Sequence, residues 1–250
     1  MMHETSAMDL ASYLKALPDC RRLELSGPSS AMLNHVALPR GLPDALAKAA
    51  GQAPAGMTIL KSGSRSIVGS FTANGEPWVL KYYQPVSFAK HLTYGILGSR
   101  CHRSWLAGLA FAHIGVPTPA PLMVAEWKSS GGLWLKRSFL ATRHAAGISL
   151  AKFLAQSSPD DPRRLKVAAD LKNAFGKMAR HRAIHGDLKE NNIIISPDGG
   201  ISFIDLDGAQ FLLPEDRWQK LRRKDRDRFF KNWKETPEVA GLFRHVFDSP

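Results

Sequence analysis

Cysteine is scarce in this chain of 250 residues, and long apolar runs are missing. Cys20 and Cys101 are too few for a disulfide framework, which excludes a small domain held together by several disulfides. No run approaches the roughly eighteen apolar residues of a membrane-spanning helix, and no cleavable signal peptide begins the sequence. We therefore expect a cytoplasmic protein that buries a substantial core, either as one domain or as two lobes.

Acidic residues are also few. The chain has 22 Asp and Glu residues against 34 Lys and Arg residues, which gives a formal net charge of +12. From Pro77 to Ala125 there is no acidic residue at all. Much of the basic excess falls in 217–234, where apolar residues recur at near-helical intervals. That segment predicts a helix with one apolar stripe and a basic face.

The most informative segment is 184–208, which reads IHGDLKENNIIISPDGGISFIDLDG. Strong turn residues at 197–200 separate two short apolar segments, which predicts a β-hairpin. Asn192 then precedes the first strand and Asp205 follows the second, so their side chains are expected at adjacent strand ends, with Asp187 shortly before them. Phosphoryl transfer requires such a set: an acceptor for the substrate hydroxyl proton and two oxygen ligands for magnesium.

This segment resembles the protein kinase signature H-R-D-L-K-x-x-N followed by D-F-G. The matching residues are His185, Asp187, Leu188, Lys189, Asn192 and Asp205. Gly186 replaces the usual Arg, which suggests a kinase that is not regulated through a phosphorylated activation segment, and Asp207 takes the glycine position of D-F-G. With these differences the chain is similar to the lipopolysaccharide-core kinases, the heptose and Kdo kinases of Gram-negative bacteria. Antibiotic and choline phosphotransferases carry similar signatures and stay an alternative.

The resemblance implies an ATP-dependent kinase that uses Mg²⁺. Asp187 would orient or deprotonate the acceptor hydroxyl, and Lys189 would contact the γ-phosphate. Asn192 and Asp205 would hold the metal, and Asp207 either adds a further oxygen or is a turn residue that faces solvent. The histidine of the loop would support its structure rather than act as a base.

The upstream segment predicts a nucleotide-binding sheet. Strands are expected over 57–60, 67–72 and 78–83, with small residues between the first two, where backbone N–H groups can approach phosphate oxygens. The candidate nucleotide-binding residues are Gly63, Ser64, Ser66, Val68 and Lys81. Only Gly63 and Val68 match a glycine and the valine of the kinase glycine-rich loop, and Lys81 matches the kinase lysine that holds the α- and β-phosphates.

The glutamate that pairs with this lysine in kinases is missing from the expected place. A helix is predicted over 99–114, and Ser104 falls near the position of that glutamate. Lys81 is therefore unpaired, paired with Glu76 or Glu126, or held differently. This departure keeps open a pseudokinase that binds nucleotide without transferring phosphate.

The elements predict an α+β, bilobal protein kinase-like fold with a small antiparallel-sheet N-lobe and a reduced helical C-lobe. The N-lobe, 57–143, would bind the nucleotide. The C-lobe, 144–250, would carry the catalytic loop and the metal site. Residues 1–56 form an N-terminal extension of unknown role.

The predicted C-lobe is small. A long helix is expected from Pro162, with Leu165 and Ala169 among its core-facing residues. The segment 206–250 has room for one or two helices, which is short for the activation segment and helical subdomain with which protein kinases hold a peptide. We therefore expect a small or glycan acceptor.

These inferences favour ATP-dependent phosphoryl transfer to a sugar hydroxyl of the lipopolysaccharide inner core. The basic face of 217–234 would contact the inner face of the cytoplasmic membrane or another anionic glycolipid, unless it is merely solvated. Charge alone also permits nucleic acid, but no recognised reader motif is present. A small-molecule phosphotransferase and a nucleotide-binding pseudokinase are the alternatives.

Overall fold

The computed structural model describes residues 9–17, 20–25, 29–34, 57–63, 66–73, 75–83, 99–129 and 134–248. The chain forms two compact units. The sheet unit comprises 19–106 and 119–144, and the helical unit comprises 1–18, 107–118 and 145–250. The boundary predicted at residue 56 stays a prediction, because it lies outside the described residues, as does Ser64.

Seven antiparallel strands form the sheet unit. They are β1 Cys20–Leu25, β2 Ser29–Asn34, β3 Thr58–Ser62, β4 Ser66–Ala73, β5 Glu76–Tyr83, β6 Pro121–Lys128 and β7 Leu135–Arg143. Their order across the sheet is β1-β2-β6-β7-β5-β4-β3. The strands predicted over 57–60, 67–72 and 78–83 correspond to β3, β4 and β5. The hairpin of β1 and β2 was not predicted, and it joins the sheet where β2 pairs with β6.

Strand β5 carries alternating side chains into the core of the sheet unit. Trp78, Leu80 and Tyr82 are buried, and the ring of Tyr82 lies 4.7 Å from that of Phe139 on β7. Successive residues of a strand point to opposite faces, so Lys81 lies on the other face of the sheet from these three. The alternation therefore presents the lysine away from this core.

The helical unit combines helices with a three-stranded antiparallel sheet, in the order β10-β9-β8. The helices are α1 Leu10–Ala16, the later part of α2 Arg100–His113, α3 Leu150–Gln156, α4 Pro162–Arg180, α5 Glu215–Lys231 and α6 Pro237–Leu242. The strands are β8 Ile148–Ser149, β9 Ile193–Ile195 and β10 Ile201–Phe203. Together with the sheet unit, this confirms the predicted α+β class. In the described part of the chain, no helix has both the length and the apolar character to cross a membrane.

Helix α2 confirms the prediction over 99–114. The hydroxyl of Ser99 accepts a hydrogen bond from the backbone N–H of His102 at 2.9 Å, which caps the first turn. Gly115, with φ +71, follows the last turn in the left-handed conformation typical of a helix end. The first turn of α2 contains no acidic residue, and Ser104 is buried.

The core-facing side of α4 differs from the prediction. Val167, Leu171 and Phe175 are buried, whereas Leu165 is 71% exposed and Ala169 is also exposed. Each residue of a helix turns by about 100°, so positions two before and two after Val167 lie on the opposite side from it. The prediction was wrong for Leu165 and Ala169 because it followed apolar character rather than the period of the buried residues.

Candidate active site

Asn192 and Asp205 lie at the same end of the β9–β10 hairpin. In the hairpin, Phe203 is opposite Ile193. Beyond that pair, the N–H of Ile204 donates to the carbonyl of Asn192 at 2.9 Å. Asp205 follows directly, so the amide and the carboxylate are neighbours in the arrangement expected from the two strands and their turn.

The Asn192 side chain is fixed by Asp187. Its Nδ2 group donates to the backbone carbonyl of Asp187 at 2.9 Å and to the Oδ2 atom of the same residue at 3.1 Å. The side-chain amide has one donor end and one acceptor end. Because the donor end is used on Asp187, the Oδ1 oxygen is directed away from it and can serve as an acceptor or a metal ligand.

The carboxylate of Asp187 lies between two cations. Its Oδ2 atom is 2.9 Å from the Lys189 ammonium, and its Oδ1 atom is 2.9 Å from the Arg228 guanidinium. Burial raises the pKa of Asp187, but the hydrogen bond and charge of Lys189, the charge of Arg228 and the Asn192 hydrogen bond outweigh it. The net result is a pKa below the ordinary value, so Asp187 is a carboxylate at neutral pH.

His185 supports the loop from inside. Its Nε2 atom donates to the carbonyl of Ile204 at 3.0 Å, and its Nδ1 atom accepts from the N–H of Asp187 at 3.3 Å. These contacts require the Nε2–H form of a neutral imidazole. Burial lowers the pKa of His185, against the opposing charge of Asp225, and favours that neutral form. The histidine is therefore a structural link between Asp187 and the residue before Asp205, as the sequence suggests.

Asp225 holds the same loop from α5. Its Oδ2 atom accepts the backbone N–H groups of His185 at 2.8 Å and Gly186 at 2.9 Å. Asp225 is 5% exposed, so its charge is stabilised by these hydrogen bonds rather than by water. Asp225 lies in the segment 217–234, for which the sequence predicts a helix with a basic face, and its contact with the loop was not predicted.

Asp205 adopts a left-handed backbone conformation, with φ 63 and ψ 53. This conformation is unusual for a residue other than glycine and costs on the order of 1 kcal/mol. A short 3₁₀ turn, Leu206–Gly208, follows it, and Leu206 is buried and anchors the turn in the core. Asp207 lies within this turn and is half-buried. The carboxylate of Asp205 is thus presented from a turn that is fixed on both sides.

In the sheet unit, Gly63 follows β3 and Ser66 begins β4. The N–H of Gly63 donates to the carbonyl of Ser66 at 3.0 Å and closes the turn. Val68 on β4 is directly opposite Lys81 on β5. Directly opposed residues share one face of a sheet, so the Val68 and Lys81 side chains are neighbours. The structure brings these two together.

The carboxylates considered as partners of Lys81 have other contacts. Glu76 pairs with Arg143, and Glu126 accepts from the N–H of Ser99 at 3.2 Å and lies 3.5 Å from the Lys128 ammonium. The Lys81 ammonium lies 5.0 Å from the centre of the Tyr83 ring, a cation–π distance. An aromatic ring therefore contributes to the environment of this lysine.

A family model described as the lipopolysaccharide kinase (Kdo/WaaP) family matches residues 80–236. The chain belongs to the Kdo/WaaP family. Members of this family are kinases of the protein kinase-like superfamily, so the predicted phosphotransferase class is confirmed. The matched region contains Lys81, the segment 184–208 and helix α5. A comparison with curated proteins finds no match.

The sequence did not predict two residues of this site, Asp225 and Arg228. Both lie on α5, about forty residues after the loop that they contact. Asp225 did leave a signal, because it falls on the apolar stripe with Trp218 and Phe229 at helical spacing. An acidic residue on a buried stripe needs a buried partner. Arg228 left no such signal among its basic neighbours.

The donor set fits a magnesium ion. Mg²⁺ prefers oxygen ligands and is usually held by one or two carboxylates together with waters and substrate phosphates. Asn192 offers its Oδ1 oxygen, and Asp205 and Asp207 offer carboxylates from the adjacent turn. Within the described residues, no group of three or more His, Cys, Asp or Glu side chains could hold a metal ion by itself. A site completed by nucleotide phosphates is consistent with both observations.

Proposed function

We propose that this protein transfers the γ-phosphate of ATP to a sugar hydroxyl of the lipopolysaccharide inner core. The observation that carries the proposal is the network of Asp187, Lys189 and Asn192 beside Asp205, inside a region matched by a lipopolysaccharide kinase family. The network combines an ionised carboxylate with a cation and with side-chain oxygens that can bind a metal ion. Those are the groups that transfer to an alcohol requires.

In the proposed reaction, Asp187 orients the acceptor hydroxyl and receives its proton. The hydroxyl oxygen forms a bond to the γ-phosphorus while the bond from that phosphorus to the bridging β,γ-oxygen breaks, and ADP leaves. Lys189 lies 2.9 Å from Asp187 and is positioned to contact the transferred phosphoryl group as well. Its positive charge would offset the negative charge of the phosphate oxygens.

Asn192, Asp205 and Asp207 are proposed as the magnesium ligands. Bound there, the ion would neutralise charge on the nucleotide phosphates. The left-handed turn at Asp205 and the hydrogen bond from Asn192 to Asp187 fix the direction of the two principal donors before any ligand arrives. Such preorganisation reduces the entropy lost on binding.

The proposed nucleotide contacts of the sheet unit are the β3–β4 turn and Lys81. Gly63, Ser64 and Ser66 would offer backbone N–H groups or hydroxyls to phosphate oxygens, and Val68 would give apolar contact beside Lys81. Lys81 would contact the α- and β-phosphates. The pairing of Val68 with Lys81 supports this assignment because both side chains share one face.

The acceptor side is proposed to be anionic and membrane-associated. The basic face of α5 consists of exposed cations: Arg217, Lys220, Arg223, Lys224, Arg226 and Lys231. Anionic phospholipid headgroups or lipid A phosphates would attract it to the inner surface of the cytoplasmic membrane. Arg222, which the sequence places with this segment, is half-buried, donates to the carbonyl of Phe247 at 2.6 Å and does not belong to the face.

The test is transfer of labelled γ-phosphate from MgATP to lipopolysaccharide core that has been stripped of its core phosphates. Asp187→Asn should lower transfer about 10²–10⁴-fold and leave MgATP affinity within a factor of about three, because the carboxylate acts on the acceptor. Asp205→Asn should weaken magnesium-dependent ATP binding itself. Asp227→Asn is the matched control, because Asp227 is an exposed carboxylate on α5.

Three outcomes distinguish the alternatives. Asp187-dependent labelling of the sugar supports the proposal. Magnesium-dependent ATP binding with labelling of an aminoglycoside or of choline, but not of the core, assigns a small-molecule acceptor instead. Equal loss of ATP binding in the Asp187 and Asp205 variants contradicts the roles assigned to them.

A further inference from the structure

Helix α5 forms hydrogen bonds with both donors and acceptors of the loop 185–187. Asp225 accepts the N–H groups of His185 and Gly186, and Arg228 donates from one nitrogen to the carbonyl of Gly186 and to Oδ1 of Asp187, each at 2.9 Å. Residues three apart on a helix share a face, so one turn of α5 supplies an acceptor and a donor. The loop is thereby held in one orientation by a single element.

Arg228 differs from Asp225 in its exposure. Its side chain is 48% exposed, and that of Asp187 is 37% exposed. Ion pairs that are exposed to this degree add little to folding stability. Folding alone therefore gives a weak reason for this contact, and its position on Asp187 suggests a role in the reaction.

The two oxygens of Asp187 are used unequally. Oδ2 accepts from Lys189 and Asn192, whereas Oδ1 accepts from Arg228. Each carboxylate oxygen has about two lone-pair positions. Counting the contacts made by the described part of the chain, Oδ2 is filled and Oδ1 keeps one position. An acceptor hydroxyl would accordingly approach Oδ1, next to the Arg228 guanidinium.

We propose that Arg228 is a positioning residue for phosphoryl transfer. It holds the carboxylate of Asp187 and the carbonyl of Gly186 so that the remaining lone pair of Oδ1 meets the acceptor hydroxyl. The proton of that hydroxyl passes to Asp187 while its oxygen bonds to the γ-phosphorus and ADP leaves. This inference rests on the proposed function, and it adds a residue that the kinase signature does not contain.

One guanidinium nitrogen of Arg228 donates to both acceptors at once. Lysine keeps the charge but carries its nitrogen on a side chain of different length and shape, so it can regain these hydrogen bonds only in part, and glutamine removes the charge. Arg228→Gln should lower kcat for transfer to dephosphorylated lipopolysaccharide core by about 10-fold or more, with MgATP affinity unchanged. Arg228→Lys should restore part of kcat. Arg244→Gln, which removes an exposed arginine outside α5, should leave kcat unchanged.

A second measurement does not depend on the acceptor. Amide hydrogen exchange at residues 185–187 should accelerate in Arg228→Gln, stay closer to the parent protein in Arg228→Lys, and remain unaltered in Arg244→Gln. If the parent protein fails to phosphorylate the core, the proposed acceptor is wrong, and the exchange data still test whether Arg228 positions the loop.

Three results would overturn the inference. An unchanged kcat and unchanged exchange in Arg228→Gln would mean that the contact has no positioning role. A raised kcat would mean that Arg228 restrains Asp187 instead. A fall in kcat that is matched by a fall in thermal stability and in MgATP affinity would mean that the role is structural.

Discussion

Gly186 and Gly208 lie backbone against backbone. Gly186 has φ +81, and a Cβ atom added to it would lie 2.2 Å from the carbonyl oxygen of Gly208. No side chain fits there, which is the physical reason for glycine where the protein kinase signature has arginine. The contact joins the loop of Asp187 to the turn that follows Asp205, so the two parts of the site are packed together without intervening side chains.

Gly186→Ala should therefore destabilise the protein more than an ordinary change of a left-handed glycine. The conformation alone costs about 1 kcal/mol, and overlap with a backbone atom should raise the loss to about 3 kcal/mol or more. Chemical denaturation gives the free energy of unfolding. Gly199→Ala is the control, because Gly199 has φ +82 but faces flexible side chains at 3.3 Å or more. Equal losses in the two variants would show that backbone contact with Gly208 is unimportant.

The local parts of this site could be predicted from the sequence. The hairpin of β9 and β10 follows from two apolar segments and a Pro-Asp-Gly-Gly turn, and it places Asn192 beside Asp205 by strand pairing alone. The face of the sheet on which Lys81 lies could be predicted, because side chains alternate between the two faces along a strand. These inferences needed only neighbours within about twenty residues.

The long-range parts could not be predicted in the same way. Asp225 and Arg228 contact a loop about forty residues earlier, and no local pattern states which surface of a helix meets which loop. Strands β1 and β2 were missed for a similar reason, since their place in the sheet depends on the pairing of β2 with β6. Long-range contacts of this kind depend on the packing of the whole unit.

Asp225 should be more important for stability than its place in a basic segment suggests. Asp225→Ala would leave the N–H groups of His185 and Gly186 buried without an acceptor, which should cost about 2–5 kcal/mol. Asp225→Asn keeps one acceptor oxygen and should cost about 1–2 kcal/mol. The melting temperature, measured by thermal denaturation, and kcat should fall together in both variants. Asp227→Ala, on the exposed side of the same helix, should stay within about 0.5 kcal/mol of the parent protein.

The buried imidazole of His185 should make folding stability depend on pH. Burial lowers its pKa in the folded protein, so below the ordinary pKa of about 6.5 the unfolded chain binds a proton that the folded one does not. The stabilising contribution is present above that pH and is lost as the pH falls, by at most about 1.4 kcal/mol per pH unit. Urea unfolding between pH 7.5 and 5.5 should show that the free energy of unfolding changes with pH by a smaller slope in His185→Gln than in the parent protein.

Two other histidines define the controls for that experiment. Burial also lowers the pKa of His181, whose contribution is common to both proteins and cancels in the comparison. His144→Gln is the control for the substitution itself, because the side chain of His144 is exposed. A slope that is identical in the parent protein and His185→Gln would mean that the imidazole is protonated in the folded state, against its two hydrogen bonds.

The basic face of α5 should bind anionic membranes through local charge rather than through net charge. Changing Arg223, Lys224 and Arg226 together to Gln should weaken binding to vesicles with anionic phospholipid by about 100-fold, at about 1 kcal/mol for each cation near the surface. The control changes three exposed cations elsewhere, Lys136, Lys152 and Arg180, and therefore lowers the net charge equally. Cosedimentation with anionic vesicles, and with neutral vesicles for comparison, measures the binding of both variants.

The comparison separates a specific surface from general attraction. Screening acts over about 8 Å at physiological ionic strength, so cations beyond that distance from the headgroups contribute little. If α5 faces the membrane, its variant loses affinity while the control retains it, and raising the salt concentration reduces the difference. Equal losses in the two variants would mean that the protein is attracted by its overall charge of +12 and that α5 has no special orientation toward the surface.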